Sequence, residues 1–349
     1  MEKKERDSGL ELLRILAIVL IFWMHGASSY SNNNLSAWLC IVIESVGNIG
    51  VALFILITGY FGIRLKPRKL VQMEFMILFY CWLGLALRFV WGEAQLYGGS
   101  QLLSYLFPII GRFSWYFTCY FALALLSPFI NEYVEKTDKK TFQRLLLTML
   151  VVFSGVTTFF FFDITQDGGK GIVNMTLLYL IGRYIRMYQD KTAYSRTKLL
   201  GIYTAVTAVC IALNGALYVV TGTVQNRFAR DNTLFTIAEA VCIFLIFKDI
   251  HFYSPFVNRI ASHVPAVFIM EWTLRGIITN YMFDYLAWRE SSWHELILLG
   301  TAVLLVVLGT LIDEVRVLLL GRLEEWAAQG LCGVGTRVMQ IRKNKINKV

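Results

Sequence analysis

Apolar runs separated by short polar turns recur along the whole chain. Ten segments are long enough to cross, or nearly cross, a bilayer: approximately 10–30, 38–62, 70–91, 113–133, 144–162, 171–188, 199–221, 233–249, 263–286 and 295–320. The yardstick is the roughly 20 apolar residues that a helix needs to span hydrocarbon. The segments at 171–188 and 233–249 are short, which suits tilted or half-buried helices. The pattern predicts an all-α, polytopic helical bundle of about ten transmembrane helices. One domain is expected over 1–320, followed by a basic tail over 321–349 that either rests on anionic lipid or is solvated. The charged start, Met1 to Asp7, leads into a first run too long for a cleaved leader, so that run reads as a retained span.

Charge supplies the orientation. Lys3, Lys4 and Arg6, then Arg64, Lys66, Arg68 and Lys69, then Lys136, Lys139, Lys140 and Arg144 fall in alternate loops. Arg183, Arg186, Lys191, Arg196 and Lys198, then Lys248 and Arg259, continue the series. The opposite loops hold only Arg112, Lys170, Arg227, Arg230 and Arg289. Such asymmetry predicts both termini in the cytosol, in a multi-pass protein of the plasma membrane. It also accounts for the net charge of +9 without a nucleic-acid partner. Composition agrees, with 56% hydrophobic and 16% charged residues, against about 25% charged in soluble domains. The six cysteines form no ligand-like pair and read as small buried hydrophobes, and no metal site is expected. Nor is any internal repeat visible, which disfavours a transporter built from two matching halves.

Ionisable groups inside a span are costly and point to function. The first span carries three. Arg14 and His25 are eleven residues apart, so they share a helix face and lie roughly 16 Å apart along the axis. Glu11, three residues before Arg14, lies on that face too. A neutral imidazole can take a proton from a hydroxyl and activate it for attack on an acyl group, and a guanidinium can grip a phosphate with two hydrogen bonds. The plainer account has Glu11 and Arg14 pairing at the interface while His25 bonds a neighbouring helix. A second constellation runs from Phe54 through Thr58, Gly59 and Tyr60 into Arg64, Lys66, Arg68 and Lys69. Those cations would attract a cytosolic polyphosphate, or simply mark an inner loop. A third, Arg112 with Trp115 and Tyr116, is either an interfacial aromatic belt or a platform for a sugar ring. Glu44, Asn48, Arg88, Asn174, Asn214, Glu239, Glu271 and Arg275 are further polar residues at membrane depth. Glu271 and Arg275 can pair across one turn, whereas Glu239 must find its partner across the bundle. Gly168-Gly169-Lys170-Gly171 reads as a turn, and His251, His263 and His294 as span-end histidines.

Glu11-Leu-Leu-Arg14-Ile-Leu-Ala17 leading to His25 resembles the Arg-x10-His element of the acyltransferase 3 family of integral membrane acyltransferases. Phe54-x3-Thr58-Gly59-Tyr60 is similar to that family's Phe-x3-Ser-Gly-Tyr. Trp115-Tyr116-Phe117, Leu126 to Asn131, and Tyr179 to Tyr184 resemble its Gram-positive branch. The resemblance implies transfer of an acyl group, usually acetyl from acetyl-CoA as co-substrate with no bound cofactor. The acceptor would be a hydroxyl of a cell-surface glycan or lipid-linked saccharide in the cell envelope. It implies His25 as catalytic histidine, acting as general base or as transient acyl carrier, and Arg14 as its motif partner, with Glu11 steadying Arg14. Arg14, Arg64, Lys66, Arg68 and Lys69 would meet the CoA phosphates. Thr58, Tyr60, Trp115, Tyr116, Glu239, Glu271 and Arg275 would face substrate. Thr58 replaces a serine and keeps the hydroxyl. Glu271 stands where many relatives carry histidine, which leaves three readings: a substitute polar role, a changed acceptor, or an inactive member. A transporter or flippase of lipid-linked glycan is the alternative from another class.

Overall fold

Backbone amides in hydrocarbon must be satisfied within their own segment, so long apolar runs become helices. A computed structural model describes residues 7–27, 34–93, 98–189, 193–288 and 291–346. The fold is 80% helical, with no strand among the described residues. In chain order the helices are α1 (Gly9–Ala27), α2 (Asn34–Gly47), α3 (Gly50–Phe61), α4 (Pro67–Val90), α5 (Gly98–Leu106) and α6 (Trp115–Lys136). Then come α7 (Lys139–Met149), α8 (Val156–Phe160), α9 (Ile172–Tyr188), α10 (Arg196–Thr221), α11 (Leu234–Lys248), α12 (Pro255–Tyr281) and α13 (His294–Ile346). A π-helical turn, Leu150–Gly155, joins α7 to α8.

Local chemistry sets many of the boundaries. Pro67 and Pro255 open α4 and α12 at the first turn, where the missing N–H costs nothing. Asp138, Ser195, Thr233 and Ser254 cap α7, α10, α11 and α12 through side-chain oxygens that accept first-turn amides. Gly222, with φ +69°, closes α10 in the left-handed conformation that glycine adopts cheaply.

Among the described residues, seven helical stretches are long and apolar enough to cross a membrane: Gly9–Ala27, Ala37–Phe61, Pro67–Val90, Trp115–Lys136, Lys139–Phe160, Arg196–Thr221 and His294–Gly333. The other three expected segments are helical as well. Among them α9 has 17 residues and α11 has 15, while α12, at 27, carries Glu271 and Arg275 inside. One difference from the sequence pattern stands out. The run at 38–62 is broken at Asn48 and Ile49 into α2 and α3, and the Asn48 side chain donates to the Ala229 carbonyl. Beyond residue 320, α13 runs on into the basic tail as one helix.

At the centre lies α3, in which Leu53, Ile55, Leu56 and Ile57 are fully buried. A helix that is apolar on every side belongs inside a bundle. It packs most closely on α9, where Gly59 and Gly182 meet without side chains between them. A Cβ on Gly182 would lie 2.5 Å from the Leu56 carbonyl oxygen and 2.9 Å from the Gly59 Cα. Outward faces of other helices are apolar and exposed, as at Phe129, Val220 and Leu318, which suits a lipid surround. Substituting Gly182→Leu should force α3 and α9 apart and lower the thermal melting point in detergent by several degrees or more, since overpacking costs about 1–3 kcal/mol. Gly201→Ala is the matched control: Gly201 has no foreign atom within 4 Å, so its melting point should hold or rise slightly.

Candidate active site

His25 sits in the last turn of α1, with its side chain 32% exposed. Its Nδ1 lies 2.7 Å from Oε2 of Glu271 on α12. An ionised carboxylate only accepts, so Nδ1 carries the hydrogen and the lone pair of the neutral ring falls on Nε2. Glu271 is itself held. Its Oε1 accepts from Arg275 Nε at 3.0 Å and Nη2 at 2.9 Å. Arg275 Nη2 also donates to the Phe22 carbonyl oxygen at 2.6 Å, and Nη1 reaches the Tyr285 hydroxyl at 3.4 Å. Gly26 lies beside this group: a Cβ there would press the Leu298 side chain at 3.0 Å and meet Arg275 Nη1 at an ordinary contact distance of 3.7 Å. The Trp272 ring lies nearly parallel to the imidazole at a centroid distance of 6.0 Å. The result is an Arg275–Glu271–His25 chain that fixes ring orientation and tautomer, as the carboxylate does in a serine-protease triad.

Two cavities lie along α1. His25 lines one of about 700 Å³, together with Glu44, Asn48, Asp163, Asp167, Lys170 and Asp231 among others. Arg14 lines another of about 580 Å³, together with Thr58, Lys69, Tyr116, Phe268 and Arg316 among others. On α12, Phe268 walls the Arg14 cavity while Glu271, three residues on, holds His25. Three residues, about 4.5 Å of rise and just under one turn, therefore separate Phe268 on the wall of that cavity from the imidazole's partner.

The structure distributes the sequence-predicted residues unevenly. Arg14 stays near Glu11, with 3.5 Å from Nε to Oε2. Thr58 and Lys69 share the Arg14 cavity, although the Thr58 hydroxyl donates back to the Phe54 carbonyl at 2.8 Å. Arg64, Lys66 and Arg68 line neither cavity, and Arg68 pairs with Glu325 of α13. Tyr60 also lines neither; its hydroxyl accepts from Arg186 at 3.1 Å. Trp115 and Tyr116 form no common platform, since their rings stand at 86°. Consecutive helical residues point about 100° apart, and Tyr116 turns into the Arg14 cavity while Trp115 does not. Glu239 is buried at 1% exposure and lines neither cavity; its neighbour is the Thr207 hydroxyl of α10. Glu271 and Arg275 are brought to His25 itself.

Several residues escaped the sequence reading. The 163–171 turn walls the His25 cavity: Asp163 accepts from the Gly168 amide at 2.7 Å and from Thr165 Oγ1 at 2.9 Å. Asn174 Nδ2 ties the turn to the Asp231 carbonyl at 3.0 Å. His263 is buried, not a span-end bystander, with Nδ1 donating to Asp313 at 2.6 Å. Asp313 accepts in addition from Tyr80 at 2.6 Å and from Arg316 at 2.7 Å, and Arg316 pairs with Glu324 at 2.5 Å. The i,i+3 spacing of Asp313 and Arg316 was a usable signal. The cross-bundle partners had none.

A bundle of membrane-crossing helices with a half-buried imidazole held by a buried carboxylate, beside two cavities, defines a polytopic membrane protein equipped for acid–base chemistry. Over residues 7–312 the chain matches the acyltransferase 3 family, an acyltransferase domain, and it belongs to that family. It is a membrane acyltransferase. No curated protein and no solved structure matches it significantly.

Glu271→Gln keeps the shape of the residue but removes the charge that orients His25. Acyl-transfer turnover should fall by roughly 10²–10⁴-fold, on the scale of the equivalent triad change, with donor affinity unaltered in a direct binding assay. A second expectation concerns stability. Burial lifts the Asp231 carboxyl to about 6, while Lys170 pulls it the other way. The folded chain thus binds this proton more tightly than the unfolded one. The stabilisation from this proton is fully present below the ordinary value of 3.8 and is lost as the pH rises through about 6. Asp231→Asn should therefore raise the melting temperature at neutral pH, and flatten its fall between about pH 4 and 6 in a series of thermal melts.

Proposed function

We propose that this acyltransferase moves an acyl group, acetyl in the simplest case, from acyl-CoA to a hydroxyl of a cell-surface glycan or its lipid-linked precursor. The observation that carries the reading is that Arg14 and His25, on one face of α1, line two different cavities. The Arg14 end faces the cytosol of a plasma-membrane protein, in keeping with the basic inner loops. Arg14 and Lys69 meet the phosphates of CoA there, and the pantetheine arm runs past Phe54, Tyr116 and Phe268 toward His25. A cavity that combines cations with the apolar rings of Phe54, Phe117 and Phe268 suits a thioester whose charge sits far from its reactive carbon.

The acceptor enters from the other cavity. Its hydroxyl gives a proton to His25 Nε2 as the oxygen attacks the thioester carbonyl, and Glu271 stabilises the imidazolium that forms. Collapse of the tetrahedral intermediate breaks the C–S bond. The CoA sulfur leaves and takes up a proton, so one ester and one thiol replace one hydroxyl and one thioester. Glu271 fills the position of the family's late-span histidine as the orienting partner of His25, which supports an active member.

Deleting the gene, or expressing His25→Ala, should abolish the O-acetyl signal in proton NMR of the host's purified surface polysaccharides. Positioned acid–base catalysis is worth about 10²–10⁴-fold, so little signal should survive. Arg14→Ala should instead weaken acyl-CoA binding while leaving the folded yield intact. Unchanged acetylation with reduced polymer yield in the deletion strain would favour transport over transfer.

A further inference from the structure

The cavity that His25 shares is unequal in charge between floor and mouth. Its buried carboxylates are Glu44 on α2, 8% exposed, and Asp231 in the loop before α11, 5% exposed. The two cations lining it, Lys170 and Arg230, are both exposed at the rim. Asp163 and Asp167 add two more acidic groups on the wall, although their oxygens already serve the amides and hydroxyl of the 163–171 turn. Acceptor atoms on Glu44 and Asn226 remain over. Glu44 Oε2 and Asn226 Oδ1 are buried oxygens without a hydrogen-bond partner. The Asn48 amide donates to the Ala229 carbonyl and also serves Asp231, so it leaves Glu44 Oε2 and Asn226 Oδ1 unmet.

Buried acceptors left unmade are costly, and they are satisfied only by donors. We propose that this cavity is an acceptor subsite selective for a neutral sugar residue, which presents hydroxyl hydrogens to Glu44 and Asp231, and that it rejects acceptors carrying a carboxylate or phosphate. The inference rests on the acyl-acceptor reading of the His25 cavity. A neutral pyranose brings several hydroxyl donors and no charge, so one hydroxyl meets the open Glu44 oxygen and another adds to Asp231 beside its bond from Asn48. A uronic acid or phosphosugar brings anionic acceptors to a floor lined by carboxyl groups, at short range and out of bulk water. Lys170 and Arg230 at the exposed mouth do not reverse this, since their charge is screened by solvent and offset by the neighbouring acids. The carboxylates also guard the reaction, because a charged sugar would enter beside the Glu271 carboxylate that serves His25.

The test is saturation-transfer NMR on the full-length purified protein in nanodiscs, with methyl glycosides of a neutral hexose, an N-acetylhexosamine and a hexuronic acid. Thiol release from acetyl-CoA is followed in parallel. The neutral glycosides should bind at least about tenfold more tightly than the uronide, the scale of one hydrogen bond to a charged group. Glu44→Gln, and independently Asp231→Asn, should each narrow that ratio, with melting curves showing that the variants fold. A uronide that binds as well as the neutral sugars overturns the proposal, as does failure of all three to bind or a ratio untouched by both variants. The readouts separate the two claims. Neutral sugars that bind without thiol release sustain the subsite and sink acyl transfer, whereas transfer to the uronide sustains the enzyme and sinks the subsite.

Discussion

The structure turns on one buried charge. Glu271 is an ionisable carboxylate with a side chain 3% exposed inside a membrane bundle, where an uncompensated anion is expensive. It persists because Arg275 supplies two hydrogen bonds and an opposite charge, and because His25 supplies a third donor. Arg275 in turn is held by the Phe22 carbonyl and the Tyr285 hydroxyl. Each of these demands fixes α1 against α12 with little tolerance. Proton uptake by His25 would add a positive charge beside a carboxylate only partly spent on Arg275. That is the arrangement a transient imidazolium requires, and it exists before any substrate arrives.

Two parallel helices set the scale of everything else. Along α1, Arg14 comes first and His25 three turns later; along α12, Phe268 comes first and Glu271 one turn later. Both helices thus present residues of one cavity and then residues of the other, in the same order. A long, thin donor with its charge at one end and its reactive carbon at the other fits that order, and a compact donor would not span it. The break between α2 and α3 serves the same geometry, because it is what places Glu44 and Asn48 at the His25 cavity.

How much of this was legible in the sequence follows the range of the interactions involved. The helices, the polar stripe on α1 and the Glu271–Arg275 pair all depend on spacing within one segment, and a helical period reveals them. What period cannot reveal is a partner hundreds of residues away. Glu271 meets His25 across 246 positions and His263 meets Asp313 across 50. Glycines and aspartates at 163–171 read correctly as a turn, yet their second role as a cavity wall depends on where α9 and the 222–233 loop place them. Tyr60 and Trp115 lie outside both cavities for a related reason: a motif residue can face a neighbouring helix as easily as a cavity.

The dense cationic turn after α3 carries the same lesson in electrostatic form. Four cations in six residues suggest a single anion trap, but Arg68 turns to Glu325, Arg64 and Lys66 stay outside, and only Lys69 lines the Arg14 cavity. The cavity takes its other guanidinium, Arg316, from the far end of the chain, and that group arrives already paired with Asp313 and Glu324. Arg14 likewise stands beside Glu11. A cavity whose two guanidiniums are each accompanied by a carboxylate carries less positive charge at rest than its count of cations suggests. A phosphate entering it must compete with carboxylates for the same donors, which costs affinity relative to bare arginines. It also lets a spent donor leave, because the carboxylates stand ready to replace it. For a catalyst that must release its product at every turnover, moderate binding by paired guanidiniums is the better physical arrangement.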